Sequence, residues 1–154
     1  MKALSIYLTL MVLMSMSCKS HQNTIGNSSK TKETTMDDGI TEKYWKLIEL
    51  NGQSVETREN RKEIHMILKD RDSLVTGFGG CNSLSGTYAL NKAQSRLNFS
   101  GIRATLMACE DMETEQRFHA MLLKIDNYTL KKDTLSLNRA RMAPLAKFKV
   151  VYLK

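Results

Sequence analysis

The sequence predicts an α+β domain in residues 43–154: a curved, mostly antiparallel and barrel-like sheet of about seven or eight strands, packed on one α-helix. Two observations predict this fold. Apolar and polar side chains alternate with a period of two through most of the region, and one segment instead has apolar residues at helical spacing. The chain has 154 residues, 42% of them apolar and 25% charged, which leaves room for one such domain with short extensions.

The predicted strands follow one another at short intervals. The first clear one places Ile64, Met66 and Leu68 on one face and His65 on the opposite, outward face. Turn-forming residues such as Asn51-Gly52 separate the strands, so neighbouring strands are predicted to be antiparallel. The later strands are marked by Leu74, Thr76 and Phe78, by Tyr88 and Leu90, by Leu97 and Phe99, by Tyr128 and Leu130, by Leu135 and Leu137, and by Phe148, Val150 and Tyr152.

One segment has the period of a helix. Phe118, Met121, Leu122 and Ile125 follow the i, i+3, i+4, i+7 pattern of a helix with one apolar face, and Met112 extends that face upstream. Because the apolar face must be buried, the sheet is predicted to wrap over this helix. Acidic residues gather near its N-terminus, where the helix dipole favours negative charge; they are Glu110, Asp111, Glu113 and Glu115.

The N-terminal residues differ in composition from the domain. Lys2 precedes an apolar stretch over residues 3–14, and Ser15-Met16-Ser17-Cys18 follows, which is the layout of a secretory leader. A buried N-terminal helix is the alternative, but the polar residues that come next argue against it. The small residues before Cys18 resemble the lipobox of bacterial lipoproteins, although Ser15 stands where Leu is commonest.

That resemblance implies a signal peptide over residues 1–17, an acylated Cys18 and a flexible polar tether over residues 18–42. We therefore expect a protein of the cell envelope, anchored by lipid in the outer membrane and facing the periplasm. Ordinary secretion without a lipid is the alternative. In either case the chain is expected to leave the cytoplasm.

The cysteine count favours a disulfide. Once Cys18 is assigned to the leader, Cys81 and Cys109 remain as an even pair in an oxidising compartment, and we expect them to be bridged. A metal site is the alternative, but neither cysteine has a CxxC partner or a histidine at a recurring ligand spacing. No metal is predicted.

Basic residues are concentrated near the C-terminus. The chain carries 23 Lys and Arg against 16 Asp and Glu. From Lys131 onward, Asp133 is the one acidic residue. Such a patch can contact anionic lipid or a polyanion, but a solvated strand face is the favoured interpretation, and nucleic acid is not expected as a partner of an exported protein. The basic residues are Lys131, Lys132, Arg139, Arg141, Lys147, Lys149 and Lys154.

Three sequence blocks stand out in the predicted domain. They are Tyr44-Trp45-Lys46-Leu47, residues 77–88, which read GFGGCNSLSGTY, and residues 105–109, which read TLMAC and are followed by Glu115 and Phe118. Together these blocks resemble those of META domains, the family of the HslJ-like proteins. The resemblance covers Tyr44 to about Tyr152. It marks as family-motif residues, with structural roles, Trp45, Gly80, Asn82, Gly86, Tyr88, Thr105 and Glu115.

The META resemblance implies a small sheet-plus-helix domain with paired cysteines, often found in envelope proteins. It does not imply an established reaction. The HslJ-like members are linked by name to heat shock and to the cell envelope. These associations favour binding over catalysis.

The residues form no recognisable catalytic set. Glu115 and His119 lie four residues apart on the predicted helix and could make an acid–base pair, but solvated side chains are the favoured interpretation. No cofactor is predicted. The alternatives are a small envelope hydrolase that uses Glu115, His119 or His65, and a purely structural stabiliser of the envelope.

We therefore expect a non-enzymatic interaction module in envelope maintenance or in a heat-shock-like stress response. Its concave sheet face is expected to receive an apolar peptide, a lipid or a partner protein of the envelope. The sequence makes no prediction of oligomeric state.

Overall fold

A computed structural model describes residues 39–57, 62–109 and 112–152. Residues Asp37–Lys154 form one compact unit that contains all the described elements. In chain order the elements are β1 (Tyr44–Leu50), β2 (Gln53–Ser54), β3 (His65–Lys69), β4 (Leu74–Phe78), β5 (Ser83–Asn91), β6 (Arg96–Ala104), α1 (Met112–Leu122), β7 (Asn127–Lys131), β8 (Thr134–Asn138) and β9 (Ala146–Val151).

The strands form one antiparallel sheet in the order β2-β1-β3-β4-β5-β6-β7-β8-β9. Strand β9 also pairs with β1, so every strand except the two-residue β2 belongs to a closed ring. The β1–β9 pairing covers backbone edges of these two strands that could otherwise promote aggregation. The predicted α+β fold, a curved antiparallel sheet with one helix, is confirmed.

The ring is narrowly joined between β6 and β7. Here a single residue pair, Arg96 and Asn127, is in register within the described strands. The hydrogen bond from Tyr128 N to Ser95 O, 3.0 Å, extends the contact by one residue beyond the start of β6. Beyond this point the two strands diverge.

Alternating residues of the strands fill the inside of the ring. Trp45, Leu47, Met66, Leu135 and Phe148 are all at most 1% exposed. The concave face of the sheet is therefore the hydrophobic core, packed by its own side chains. Core residues occupy the face on which the sequence predicts a partner, and the binding of a partner stays a prediction.

The helix contributes the rest of the core. Phe118, Met121 and Leu122 are buried, and the Phe118 ring packs against that of Phe148 at a centroid distance of 6.2 Å. Ile125 lies beyond the end of the helix but is still only 4% exposed. The helical period therefore predicts the buried face correctly and the end of the helix slightly too late. None of the described helices is long and apolar enough to span a membrane.

The fold begins before the predicted domain boundary. Ile40 and Thr41, which are predicted from the sequence to lie in the tether, are 1% and 2% exposed. The Trp45 indole Nε1 donates a hydrogen bond to Ile40 O at 2.7 Å, and Glu42 N donates to Leu68 O at 2.8 Å. Cys18 and most of the tether lie outside the described residues.

Candidate functional site

The most unusual polar group of the domain is the carboxylate of Glu115. This residue is only 4% exposed, although acidic side chains are rarely buried without partners. It lies three residues before Phe118 on α1, and the 3.6-residue period therefore turns both side chains toward the interior. The expectation that Glu115 is solvated is wrong.

The turn after β4 surrounds this carboxylate with hydrogen-bond donors. Cys81 N and Asn82 N donate to Oε2 at 2.9 and 2.6 Å, and the Asn82 side-chain Nδ2 donates to Oε1 at 2.8 Å. Both oxygens of Glu115 are therefore satisfied by the turn. Hydrogen bonds to a charged acceptor are among the stronger ones in proteins.

Two glycines allow the turn to approach the helix. A Cβ on Gly79 would lie 2.8 Å from Glu115 Cγ, closer than side chains pack, so a larger residue would displace the carboxylate. Gly80 has φ +118°, a backbone conformation that L residues rarely adopt. Gly79 N donates to Asn82 O at 2.8 Å and closes the turn. The family-motif residue Gly80 therefore has a structural role in this turn.

Opposing effects act on the pKa of Glu115. Burial alone would raise it, but the hydrogen bonds from Asn82 and Cys81, together with nearby His119, more than compensate and hold the pKa below its ordinary value of 4.5. The group is therefore an ionised carboxylate at neutral pH. A general acid needs the opposite shift.

Asn82 extends the network from the helix to residues 105–109, which we call the 105–109 loop. Its Oδ1 accepts hydrogen bonds from Thr105 Oγ1 and Met107 N, both at 2.7 Å. Its Nδ2 also donates to Met107 O at 3.2 Å. One side chain, itself 1% exposed, thus binds Glu115 on one side and both backbone groups of Met107 on the other.

A disulfide holds the far end of the 105–109 loop. Cys81 and Cys109 are bonded through their Sγ atoms, with their Cα atoms 5.9 Å apart. Because Cys81 N also binds Glu115, the disulfide, the turn and the helix meet at one point. The loop has no regular secondary structure, and these contacts fix it instead.

The 105–109 loop exposes two large apolar side chains. Leu106 is 101% exposed, as in an extended peptide, and Met107 is 59% exposed. Its neighbours Thr105 and Ala108 are also exposed. The buried network therefore presents an apolar tip to its surroundings.

The other family-motif residues stabilise the ring. Trp45 fills the core, and Tyr88, 7% exposed, donates its hydroxyl hydrogen bond to Lys69 O at 3.1 Å. Gly86 lies at an irregularity in the β5–β6 pairing, where a Cβ would be 3.0 Å from Ser100 O. None of these residues belongs to the Glu115 network.

Both described histidines are at least partly buried. His65 is predicted on the outward face of its strand and is nevertheless only 6% exposed, because its ring stacks on Tyr44 at 4.3 Å and lies 6.5 Å from the Phe78 ring. Burial lowers its pKa. His119 is half-buried, and its Nε2 is buried with no hydrogen-bond partner among the described residues.

A shallow groove of about 390 Å³ opens where α1 approaches β1 and β2. Apolar residues such as Leu47 and Ile64 line its floor. Its rim mixes basic and acidic side chains in equal number, so no charge selects an ionic ligand; they are Lys62, Arg117, Glu56 and Glu63.

The described residues contain no group of three or more His, Cys, Asp or Glu side chains suited to a metal ion.

Sequence reasoning explains Glu115 by the helix dipole and so misses its role as the centre of this network. One signal was available: Met112, Glu115, Phe118 and Leu122 share a helical face, so Glu115 interrupts an apolar stripe. An acid in such a position must be paired when it is buried.

Two solved structures share this fold. One is an NMR structure that is 21% identical, with a TM-score of 0.56, covering 72% of this chain and 91% of that chain. The other is an NMR structure of a protein from Burkholderia xenovorans, also 21% identical, with a TM-score of 0.57, covering 73% of this chain and 83% of that chain. At these identities the likeness concerns the fold alone. No curated protein matches the chain.

The family comparison covers nearly the whole compact unit. The model of the META domain matches residues 38–152, which includes Ile40 at one end and β9 at the other. The turn at Asn82, the 105–109 loop and the helix that carries Glu115 all lie inside the match. The chain therefore belongs to the META domain family.

Proposed function

We propose that this chain is a non-enzymatic envelope lipoprotein whose META domain is an interaction module, with the 105–109 loop as its contact element. One observation carries the proposal. Leu106 and Met107 are 101% and 59% exposed, while the side chain of Asn82 binds both the N–H and the C=O of Met107. The loop exposes apolar side chains from a backbone that is held in place.

Such an arrangement suits binding, because a partner gains the burial of Leu106 and Met107 without first ordering the loop. Ordering of a flexible segment is one of the main free-energy costs of association. Interfaces also depend on a few well-buried anchor residues. Within the loop, the exposed side chains of Thr105 and Ala108 are also uncharged. The chemistry favours an apolar pocket on a partner protein.

The proposed location rests on the sequence of the leader. We place the mature chain in the outer membrane, facing the periplasm, through lipid on Cys18, where it acts in envelope maintenance or in a stress response. Mass spectrometry of the mature N-terminus tests the anchor: an acylated Cys18 is expected, and an unmodified chain that begins elsewhere would contradict it. We expect a deletion strain to survive envelope stress less well than its parent strain.

The enzymatic alternative receives less support. Both oxygens of Glu115 are engaged in hydrogen bonds, and His65 is enclosed by Tyr44 and Phe78. The observation in its favour is the unpartnered Nε2 of His119, one helical turn from Glu115. A His119→Ala variant tests it: full complementation of the deletion strain is expected, and loss of complementation by a stable variant would support the hydrolase.

Photo-crosslinking in living cells tests the interaction module. A photoreactive amino acid at position 106 is expected to give a discrete adduct, while the same amino acid at exposed Gln94 does not. The purified partner should then bind the Leu106→Ser/Met107→Ser variant at least about tenfold more weakly than the wild type. The proposal fails if positions 106 and 94 give the same adducts, or if the double substitution leaves the affinity unchanged.

A further inference from the structure

A second exposed surface lies where α1 leads into β7 and where β8 turns into β9. Two large apolar side chains, Leu123 and Met142, are 63% and 62% exposed there. Four basic residues accompany them, all exposed. We call this surface the basic face; it consists of Arg96, Leu123, Lys124, Arg139, Arg141 and Met142.

Short hydrogen bonds hold the parts of the basic face together. Asp126 N donates to Asn138 O at 3.0 Å, and Ala140 N donates to Asp126 Oδ1 at 2.8 Å. The side chain of Asn127 donates to Ala140 O at 2.9 Å. These bonds join the segment after α1 to the β8–β9 turn.

Strand pairing adds Arg96 to the same surface. Arg96 is the register partner of Asn127, whose side chain binds the β8–β9 turn. Met142 N donates to Arg139 O at 3.1 Å, which keeps the turn compact. The segments that carry these apolar and basic residues are therefore held together by strand pairing and hydrogen bonds.

The basic face carries an excess of positive charge. Asp126 lies close enough to Arg96 and Arg139 to interact with their charges. Its pKa is lowered by the hydrogen bonds from Ala140 and Asn127 and by these two charges, so it is ionised and offsets one cation. Within the described residues, no ion pair joins the four basic side chains to a carboxylate. A net positive surface remains.

We propose that the basic face docks the domain on a bilayer surface that contains anionic phospholipid. Arginine and lysine side chains contact the headgroups, while Leu123 and Met142 enter the boundary between headgroups and acyl chains. Charge alone would suit any polyanion, but the two exposed apolar side chains favour a lipid surface over a nucleic acid, whose backbone is polar and charged. The docking does not require a lipid on Cys18.

Vesicle co-sedimentation tests the docking with residues 19–154, which contain the whole compact unit and lack Cys18. The protein is expected to bind vesicles of phosphatidylglycerol and phosphatidylcholine, to bind pure phosphatidylcholine far more weakly, and to be partly released by salt. Equal binding to both vesicles, or binding to heparin without binding to either vesicle, would overturn the proposal.

Matched charge reversals locate the surface. Arg139→Glu/Arg141→Glu is expected to weaken binding to the anionic vesicles at least about tenfold. Lys131→Glu/Lys132→Glu makes the same change of net charge at the exposed end of β7 and in the turn that follows it, and is expected to weaken binding less. Leu123→Ser/Met142→Ser keeps every charge. It is expected to lower the fraction of protein that stays bound to the vesicles at high salt. Two results would contradict docking through the basic face: an equal loss of vesicle binding in both charge-reversal variants, or serine variant binding at high salt that equals that of the wild type.

Discussion

The backbone N–H of Asn82 lies 2.6 Å from the Glu115 carboxylate, although the two residues are 33 positions apart in the sequence. This contact joins the turn after β4 to the helix that closes the core. The side chain of Asn82 continues the connection to Met107. A buried acid thus links the core to the exposed apolar loop.

Removal of the carboxylate should destabilise the domain strongly. Glu115→Ala removes the acceptor of three buried hydrogen bonds from Cys81 and Asn82, and each N–H left unsatisfied costs about 1–3 kcal/mol. We expect the free energy of unfolding to fall by about 3 kcal/mol or more. Urea denaturation measures it through the fluorescence of Trp45, the single tryptophan, which is 1% exposed.

Glu113→Ala is the matched control for this substitution. Glu113 lies on the same helix, its side chain is 84% exposed, and its nearest cation, Arg117, is 3.9 Å away. Surface pairs of this kind contribute little, so a change within about 0.5 kcal/mol is expected. Equal losses in the two variants would show that the helix, and not the buried carboxylate, is sensitive to substitution.

Acid should weaken the domain partly through Glu115. Its pKa is lower in the folded protein than its ordinary value of 4.5, so the native state binds fewer protons than the unfolded chain. The stabilisation is present above pH 4.5 and is lost as the pH falls through the lower, folded pKa. Glu115→Gln should therefore lose less stability than the wild type between neutral pH and pH about 3. If the free energies of unfolding of the two proteins change in parallel with pH, this assignment is contradicted.

Asn82→Asp should have the opposite pH dependence. It replaces the donor Nδ2, 2.8 Å from Glu115 Oε1, with an oxygen, so two carboxylates face each other in a buried site. Repulsion raises the pKa of such a pair, and the destabilisation is expected to be largest at neutral pH and smaller in mild acid, where one proton is shared. Asn98→Asp, at an exposed position of β6, is the control and should change stability little at either pH.

Reduction of the disulfide should lower stability by about 3 to 4 kcal/mol on the chain-entropy model, since the bond closes a loop of 28 residues. The same loss is expected in Cys81→Ser/Cys109→Ser without reductant. Thermal unfolding in the oxidised and reduced states measures the difference. Indistinguishable melting temperatures would exclude a stabilising bond.

Much of the fold could be predicted from the sequence because local patterns specify it. Alternating residues such as Leu135 and Leu137 identify strands, both being fully buried, and the spacing of Phe118 and Leu122 identifies the helix. The closed ring depends on contacts between distant segments, and no local pattern shows that β9 pairs with β1. Ile40 is buried for the same reason, since its carbonyl is bound by Trp45.

The site could be predicted only in part. The motif around Asn82 marks a special turn, and the cysteine count predicts the bond between Cys81 and Cys109. The sequence does not show that the turn encloses the carboxylate of Glu115, because that contact exists only after the helix has packed on the sheet. Likewise, alternation assigns His65 to the outer side of β3, but cannot show that Tyr44 covers it.

The pKa of Glu115 itself is the most direct test. Titration of the ¹³C-labelled side-chain carboxyl of Glu115 by NMR should give a pKa below 4.5, with the amide proton resonances of Cys81 and Asn82 shifting over the same pH range. Such a result identifies an ionised structural anchor for the 105–109 loop. A pKa raised above 4.5 toward neutrality would instead indicate a protonated group suited to acid–base chemistry, and would contradict the account.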